Sequence, residues 1–168
     1  MVSDYSMQRV SVGADRERFV DLLLLADESE QQVRSYLHRG DLYAYSADHV
    51  VIGVILAIPI DDLTVELKAV AVDEHYQRRG LGNRMLLAVL EDLRARGVKR
   101  VIVGTSNAGI GQLAYYQKAG FRLLRIERDF FSPERGYPEV MVEEGIRLRD
   151  MVWMDLSLDE SVNTPSVR

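Results

Sequence analysis

Residues 77–82 read Gln77-Arg78-Arg79-Gly80-Leu81-Gly82, and the residues on either side of them decide the architecture. Before them, residues 63–72 form a run rich in Val, Leu and Ala that predicts a long strand. After them, Met85, Leu86, Val89, Leu90 and Leu93 recur at three- and four-residue spacing, the trace of one helical face. Gly97 closes that helix, as a residue that accepts a left-handed backbone does. The glycine turn therefore joins a strand to a helix of residues 80–96. The first N–H groups of a helix have no internal partner, and the aligned peptide dipoles add partial positive charge there. Glycines let a ligand approach the backbone, so a phosphate can accept several N–H bonds at once, with Arg78 and Arg79 beside it. A pyrophosphate suits such a place. The same residues also suit a plain turn that binds nothing, and the motif alone does not separate the two.

Two familiar pyrophosphate sites do not match. A nucleoside-triphosphate loop needs Gly-Lys-Ser/Thr after the glycine run, where this chain has Gly82-Asn83-Arg84. A dinucleotide fold needs a third glycine where Met85 stands, and an acid after the next strand, where Gly104-Thr105 stand.

Working outward, residues 8–13 predict a short first strand, and Phe19, Leu22, Leu23 and Ala26 an amphipathic helix. Residues 29–39 form a second, more polar helix. Residues 42–46 and 50–58 pair as a hairpin through Ala47-Asp48-His49. Beyond the central helix, residues 100–103 are a strand, 110–119 a short helix, and 121–128 and 146–156 the last two strands. A long connection with Pro133, Gly136 and Pro138 separates those two. The expectation is one mixed α/β domain over residues 1–157, with about seven strands and four helices. Residues 158–168 are expected as a flexible tail.

The 168 residues are 47% hydrophobic and 28% charged, which is ordinary for a globular domain with its own core. Zero cysteines exclude disulfides and a cysteine nucleophile. The three histidines, His38, His49 and His75, lack metal-ligand spacing, so no metal is expected. A net charge of −5 without a basic block argues against nucleic acid. No apolar run approaches the ~18–20 residues of a membrane span, and no basic-then-apolar leader opens the chain. A cytoplasmic location without membrane partners is the expectation.

Taken together, these features resemble the GNAT superfamily of acyl-CoA-dependent N-acyltransferases. Its Arg/Gln-x-x-Gly-x-Gly/Ala signature matches residues 77–82. The run Lys68-Ala69-Val70-Ala71-Val72 is similar to the strand that precedes that signature in the family. Tyr116-Gln117-Lys118-Ala119-Gly120-Phe121 resembles the second signature, Tyr-x-Lys-x-Gly-Phe. The likeness covers residues 7–157. It implies a splayed sheet with acetyl-CoA as co-substrate, its pantetheine arm lying between the separating strands. Backbone groups of Val70, Ala71 and Val72 would hold that arm, and Gln77, Arg78, Arg79, Gly80, Leu81 and Gly82 the pyrophosphate. Asn107 corresponds to a cofactor-contacting asparagine, although Ala108-Gly109-Ile110-Gly111 sets it farther from Tyr116 than the family pattern does.

The implied reaction moves an acetyl group to a primary amine. Such an amine titrates near ~10.4, so a base must free its lone pair. A negative oxygen then develops and a thiolate departs. Glu66, a carboxylate in mid-strand, is the base that the resemblance suggests; an ion pair with Lys68 on the same face is the other reading. Tyr116 is the corresponding acid for the thiolate, or else an aromatic anchor. Tyr115 is expected to serve packing or the surface. Without cysteine, direct attack in a ternary complex is the expectation. The acceptor would be a small-molecule or protein amine. Acids at residues 27–30 and 134–144 favour a cation, or are simply solvated charge. Phe130, Phe131, Tyr137 and Val140 would cover the acceptor site or form a homodimer contact. The rival function is a module that senses acyl-CoA without turnover.

Overall fold

The computed structural model describes residues 4–27 and 29–159. Its elements are β1 (Tyr5–Val10), a 3-10 turn running into the one-turn helix α1 (Val20–Leu23), α2 (Glu30–Tyr36), β2 (Asp41–Ala47), β3 (Val50–Pro59), β4 (Thr64–Val72), α3 (Leu81–Ala95), β5 (Arg100–Ser106), α4 (Ile110–Lys118), β6 (Arg122–Glu127), β7 (Val142–Glu143), β8 (Ile146–Arg147) and β9 (Met151–Ser157). The main sheet has seven strands in the order β1-β2-β3-β4-β5-β9-β6. Among the described residues only β4 and β5 pair in parallel, because α3 carries the chain back between them. With four α-helices and a seven-stranded mixed sheet, this is the expected fold class.

Two of the sequence expectations need correction. The last strand does not run unbroken from residue 146: Ile146 and Arg147 turn away to pair with Glu143 and Val142, and the main strand starts at Met151. The left-handed backbone at Glu144 and Gly145 closes that small hairpin. The first helix is also largely 3-10, from Ala14 to Phe19. Of the expected tail, Leu158 is buried and its N–H donates to Lys99 O at 2.8 Å. Residues 160–168 lie outside the described residues, as does Glu28.

Strand alternation divides the core between the two faces of the sheet. On one face, Tyr43, Ile55, Val65, Leu67, Val101, Val103 and Met154 pack against the α3 stripe of Leu81, Met85, Leu86, Val89 and Leu93 and against Tyr116 and Phe121. On the other, Leu42, Ala44, Val54, Leu56, Ala69 and Ala71 meet Phe19, Leu23, Val33, Tyr36 and Leu37 from α1 and α2. β4 itself changes sides. Val65 and Leu67 face α3, whereas Ala69 and Ala71 face α1 and α2. The cause is a bulge: Leu56 pairs with Ala69 and Ala57 with Leu67, so Lys68 opposes no residue on β3.

The same point is where the sheet opens. The β4–β5 ladder runs from the Thr64–Arg100 pair to the Leu67–Val103 pair and stops there. Beyond it β5 pairs only with β9, through Gly104, Thr105 and Ser106. Residues 68–72 of β4 thus present a strand edge that β5 no longer fills.

Candidate active site

The glycine turn is built as a concave backbone. Arg78 (φ 61°) and Gly80 (φ 73°) both adopt the left-handed conformation. Gly80 is the N-cap of α3, and no side chain caps the orphan N–H groups. No atom lies within 4 Å of where a Cβ on Gly80 would point. Arg79 lies over the ring of Tyr76 at 5.7 Å and Arg84 over Tyr5 at 5.1 Å. Among the described residues neither these two nor Arg78 forms an ion pair with a carboxylate. Three free guanidinium groups around a bare helix N-terminus fit a pyrophosphate.

Other residues of the signature hold the turn in place. The Gln77 side-chain amide donates back to Val72 O at 2.9 Å instead of reaching outward. Tyr115, expected to serve packing or the surface, donates its hydroxyl to Gly82 O at 2.6 Å and so ties α4 to the first turn of α3.

Between the separating strands lies a cleft of about 280 Å³. Its lining includes Glu66 and Val70 of β4, Thr105 and Ser106 of β5, and Gln112 and Tyr116 of α4. The structure therefore brings the two catalytic candidates to one cavity. Glu66 is half-buried, and its strand partners are Ile58 and Ile102, so its carboxylate stands between apolar neighbours. It forms no ion pair with Lys68. The Lys68 ammonium lies instead over the Tyr36 ring at 5.5 Å. Tyr116 packs edge-on against Phe121 at 5.6 Å, and burial raises its hydroxyl above the ordinary phenol value, with Tyr115 adding to the effect. It is thus protonated throughout the neutral range.

The lining also includes Leu25, Ala26 and Asp27 from the α1–α2 loop and residues of the arm 129–149. Phe130, Phe131 and Tyr137 of that arm pack on one another with ring centroids 5.1–6.3 Å apart. All three line the cleft, whereas Val140 is exposed outside it. Gln32 of α2 donates to Arg135 O at 3.2 Å and fastens the arm across the opening.

Asn107 is placed differently from the expectation. Its amide nitrogen donates to Arg147 O at 3.0 Å, and its amide oxygen accepts from the N–H groups of Arg149 and Asp150 at 2.9 and 3.0 Å. The side chain brackets the root of the arm and does not line the cleft. Val70 lines it, Ala71 is buried on the α1–α2 side, and Val72 packs partly toward α3.

Sequence reasoning passed over Trp153, which lines the cleft from β9, donates its indole N–H to Glu127 at 3.0 Å and carries Arg125 over its ring at 5.0 Å. Gly104 faces it across the ladder, and a Cβ there would sit 3.0 Å from the indole. A lone tryptophan and a glycine in mid-strand were the available signal. A second, more open hollow of about 460 Å³ lies beside α1, lined by Arg18, Leu22, Val51 and Asp73 among others, and shares only Leu25 with the cleft. Among the described residues, no group of three His, Cys, Asp or Glu side chains is placed to hold a metal ion, and no helix is long and apolar enough to cross a membrane.

Comparison with known proteins agrees with this geometry. Residues 14–121 match the family profile described as "Acetyltransferase (GNAT) family". The chain is 39% identical to the uncharacterised N-acetyltransferase YvbK of Bacillus subtilis, over 89% of this chain and 96% of the relative. A GNAT family acetyltransferase from Elizabethkingia anophelis, solved with acetyl-CoA bound, superposes with a TM-score of 0.83 at 35% identity, covering 92% of this chain and 98% of that one. A Bacillus subtilis acetyltransferase solved with CoA gives a TM-score of 0.82 at 37% identity, covering 92% and 99%.

Proposed function

This chain belongs to the acetyltransferase (GNAT) family and transfers an acetyl group from acetyl-CoA to an amine, and we propose that it does so by direct attack within the cleft between β4 and β5. The observation that carries the proposal is the convergence of Glu66 and Tyr116 on that one cavity, at the point where the sheet splays.

In this reading the N–H groups at the start of α3, with Arg78, Arg79 and Arg84, hold the pyrophosphate. The unfilled edge of β4 around Val70 holds the amide-bearing arm. Both are backbone sites, so they fix position with few side-chain degrees of freedom. Glu66 accepts a proton from the incoming ammonium, directly or through water, and frees the lone pair. The nitrogen then bonds to the acetyl carbonyl carbon. The oxygen that becomes negative in this step needs a hydrogen-bond donor. As the carbon–sulfur bond breaks, the Tyr116 hydroxyl donates toward the thiolate. The products are the N-acetylated amine, free CoA thiol and one proton.

Tyr116 acts less as a strong acid than as a hydrogen-bond donor. Burial holds its hydroxyl above ~10, whereas a thiol titrates near ~8.5, so full transfer to the sulfur is uphill until solvent resupplies the proton. A module that only senses acyl-CoA would have no use for a carboxylate and a protonated phenol in the same cleft.

Initial-rate kinetics test the direct route. Release of CoA thiol, measured while acetyl-CoA and a primary amine are both varied, is expected to give intersecting double-reciprocal lines. Parallel lines would signal an acetyl-enzyme and overturn the proposal.

A further inference from the structure

The transfer reading assigns the proton chemistry but not what holds the amine beside Glu66. In that reading the two substrates reach the cleft from opposite faces of the sheet. Val65, Leu67, Val101, Val103 and Met154 face α3, so strand alternation turns their neighbours Glu66, Gly104 and Trp153 to the face of α1 and α2. Acetyl-CoA held at the start of α3 arrives from the α3 face, where Tyr116 packs. The face of Glu66 and Trp153 is left to the amine. Both residues line the cleft, and so does Phe130 of the arm.

One carboxylate outside the cleft lining ties Trp153 to Phe130. Glu127 of β6 accepts the Trp153 indole N–H on Oε2 at 3.0 Å and the Arg135 guanidinium on Oε1 at 2.8 Å. Arg135 in turn lies over the Phe130 ring at 4.3 Å, and its backbone carbonyl accepts from Gln32 of α2. Arg125 covers one face of the indole and reaches Glu127 at 3.5 Å. Opposite Trp153, a Cβ on Gly104 would come within 3.0 Å of the ring, so the indole settles against β5 only because that position is bare. The Trp153 hydrogen bond, aided by Arg135 and Arg125 and opposed by burial, holds the Glu127 carboxyl below the ordinary glutamate value. Exposed ion pairs add little to stability, and the Glu127 side chain is 30% exposed. What these contacts fix is the place of two rings that line the reaction cleft.

We propose that Glu127 is a positioning residue for the acceptor: it locks Trp153 and, through Arg135, Phe130 into one wall of the cleft, against which the carbon skeleton of the amine lies while its nitrogen is at Glu66. This rests on the amine-transfer reading above and adds to it the residue that sets how the acceptor is held.

Glu127→Ala and Glu127→Gln, compared with the parent, test it. CoA thiol release is measured with the fastest of four primary-amine probes: hexylamine, phenethylamine, free lysine and a peptide with a free N-terminus. Glu127→Ala is expected to lower kcat/KM for the amine by about tenfold or more, chiefly through KM, while acetyl-CoA affinity in a calorimeter stays within about twofold. Glu127→Gln keeps an oxygen for the indole N–H but no charge for Arg135, and is expected to lose about fivefold. Trp153 is the only tryptophan in the chain, so its emission reads the contact directly and is expected to move to the red in Glu127→Ala. An amine kcat/KM within about twofold of the parent in both variants overturns the role. So does an unmoved emission, or a loss of acetyl-CoA affinity as large as the loss for the amine. If Glu127→Ala does not fold, Glu127→Gln decides by the same kinetic limits. A parent that binds acetyl-CoA yet releases thiol with none of the four probes overturns the transfer reading itself, and the positioning role with it.

Discussion

Individual side chains divide into those whose role the sequence reveals and those that only the fold explains. Tyr116 is of the first kind, because its neighbours Lys118, Gly120 and Phe121 carry the family pattern. Its hydroxyl has no protein partner among the described hydrogen bonds, so Tyr116→Phe is expected to leave the melting temperature nearly unchanged. It should lower kcat by about tenfold, less than the ~10²–10⁴ of a full acid–base group, since the phenol is a reluctant acid here. Arg16 is of the second kind. It is 1% exposed, and its guanidinium donates to the carbonyls of Val10, Leu37, Arg39 and Gly40 at 2.8–3.1 Å. It thereby closes the end of β1 onto the α2–β2 link. An arginine in a charged stretch of sequence gives no hint of this, because its acceptors lie 21–24 residues away except for Val10. Arg16→Met leaves those carbonyls without donors, and equilibrium denaturation is expected to show a loss of about 3 kcal/mol with no change in acetyl-CoA affinity. Asn107 is also placed by the fold: its position in the chain suggested the cofactor, and its partners at residues 147–150 are set by a strand break that alternation alone does not predict.

At the level of elements, the strand–turn–helix unit of β4, the glycine turn and α3 was legible because hydrophobic period, glycine placement and helix-end physics all point the same way. The Lys68 bulge was not. Residues 64–72 read as an evenly alternating strand, and an extra residue in one strand shows only when its partner's register is known. Without that bulge Ala69 and Ala71 would not face α1 and α2, so it helps to create both the splay and the second face of the core. The turn carries its own expectation. Arg78→Ala with Arg79→Ala removes two full charges and leaves the helix N-terminus intact. Calorimetry is expected to show acetyl-CoA binding weakened about tenfold or more, with a shallower dependence on salt than in the parent. An unchanged salt dependence would place the phosphates elsewhere.

For the molecule as a whole, the mixed sheet and helix count followed from element order, but the insertion of β9 between β5 and β6 and the folding of residues 129–149 into an arm depend on contacts between distant segments. Those contacts bury phenols. Tyr36, Tyr43, Tyr115 and Tyr116 are all raised, chiefly by burial, with Asp27 acting further on Tyr36 and Asp92 on Tyr43. A phenol raised in the folded state stays protonated there while the unfolded chain ionises near ~10, so stability is full below that pH and falls as pH rises through it. Thermal melts are expected to be flat from neutral pH to about 9 and to drop steeply above about 10; a flat profile to pH 12 would contradict the burial. The central claim, that amine and thioester meet at Glu66 in the splayed cleft, is tested most directly by the turnover of Glu66→Gln. With acetyl-CoA and an amine acceptor saturating, thiol release is expected to fall by about 10²-fold or more while calorimetric binding of acetyl-CoA stays as in the parent. A variant that binds acetyl-CoA normally and releases thiol within about twofold of the parent rate would contradict the account, because the proton would then be leaving the amine by another route.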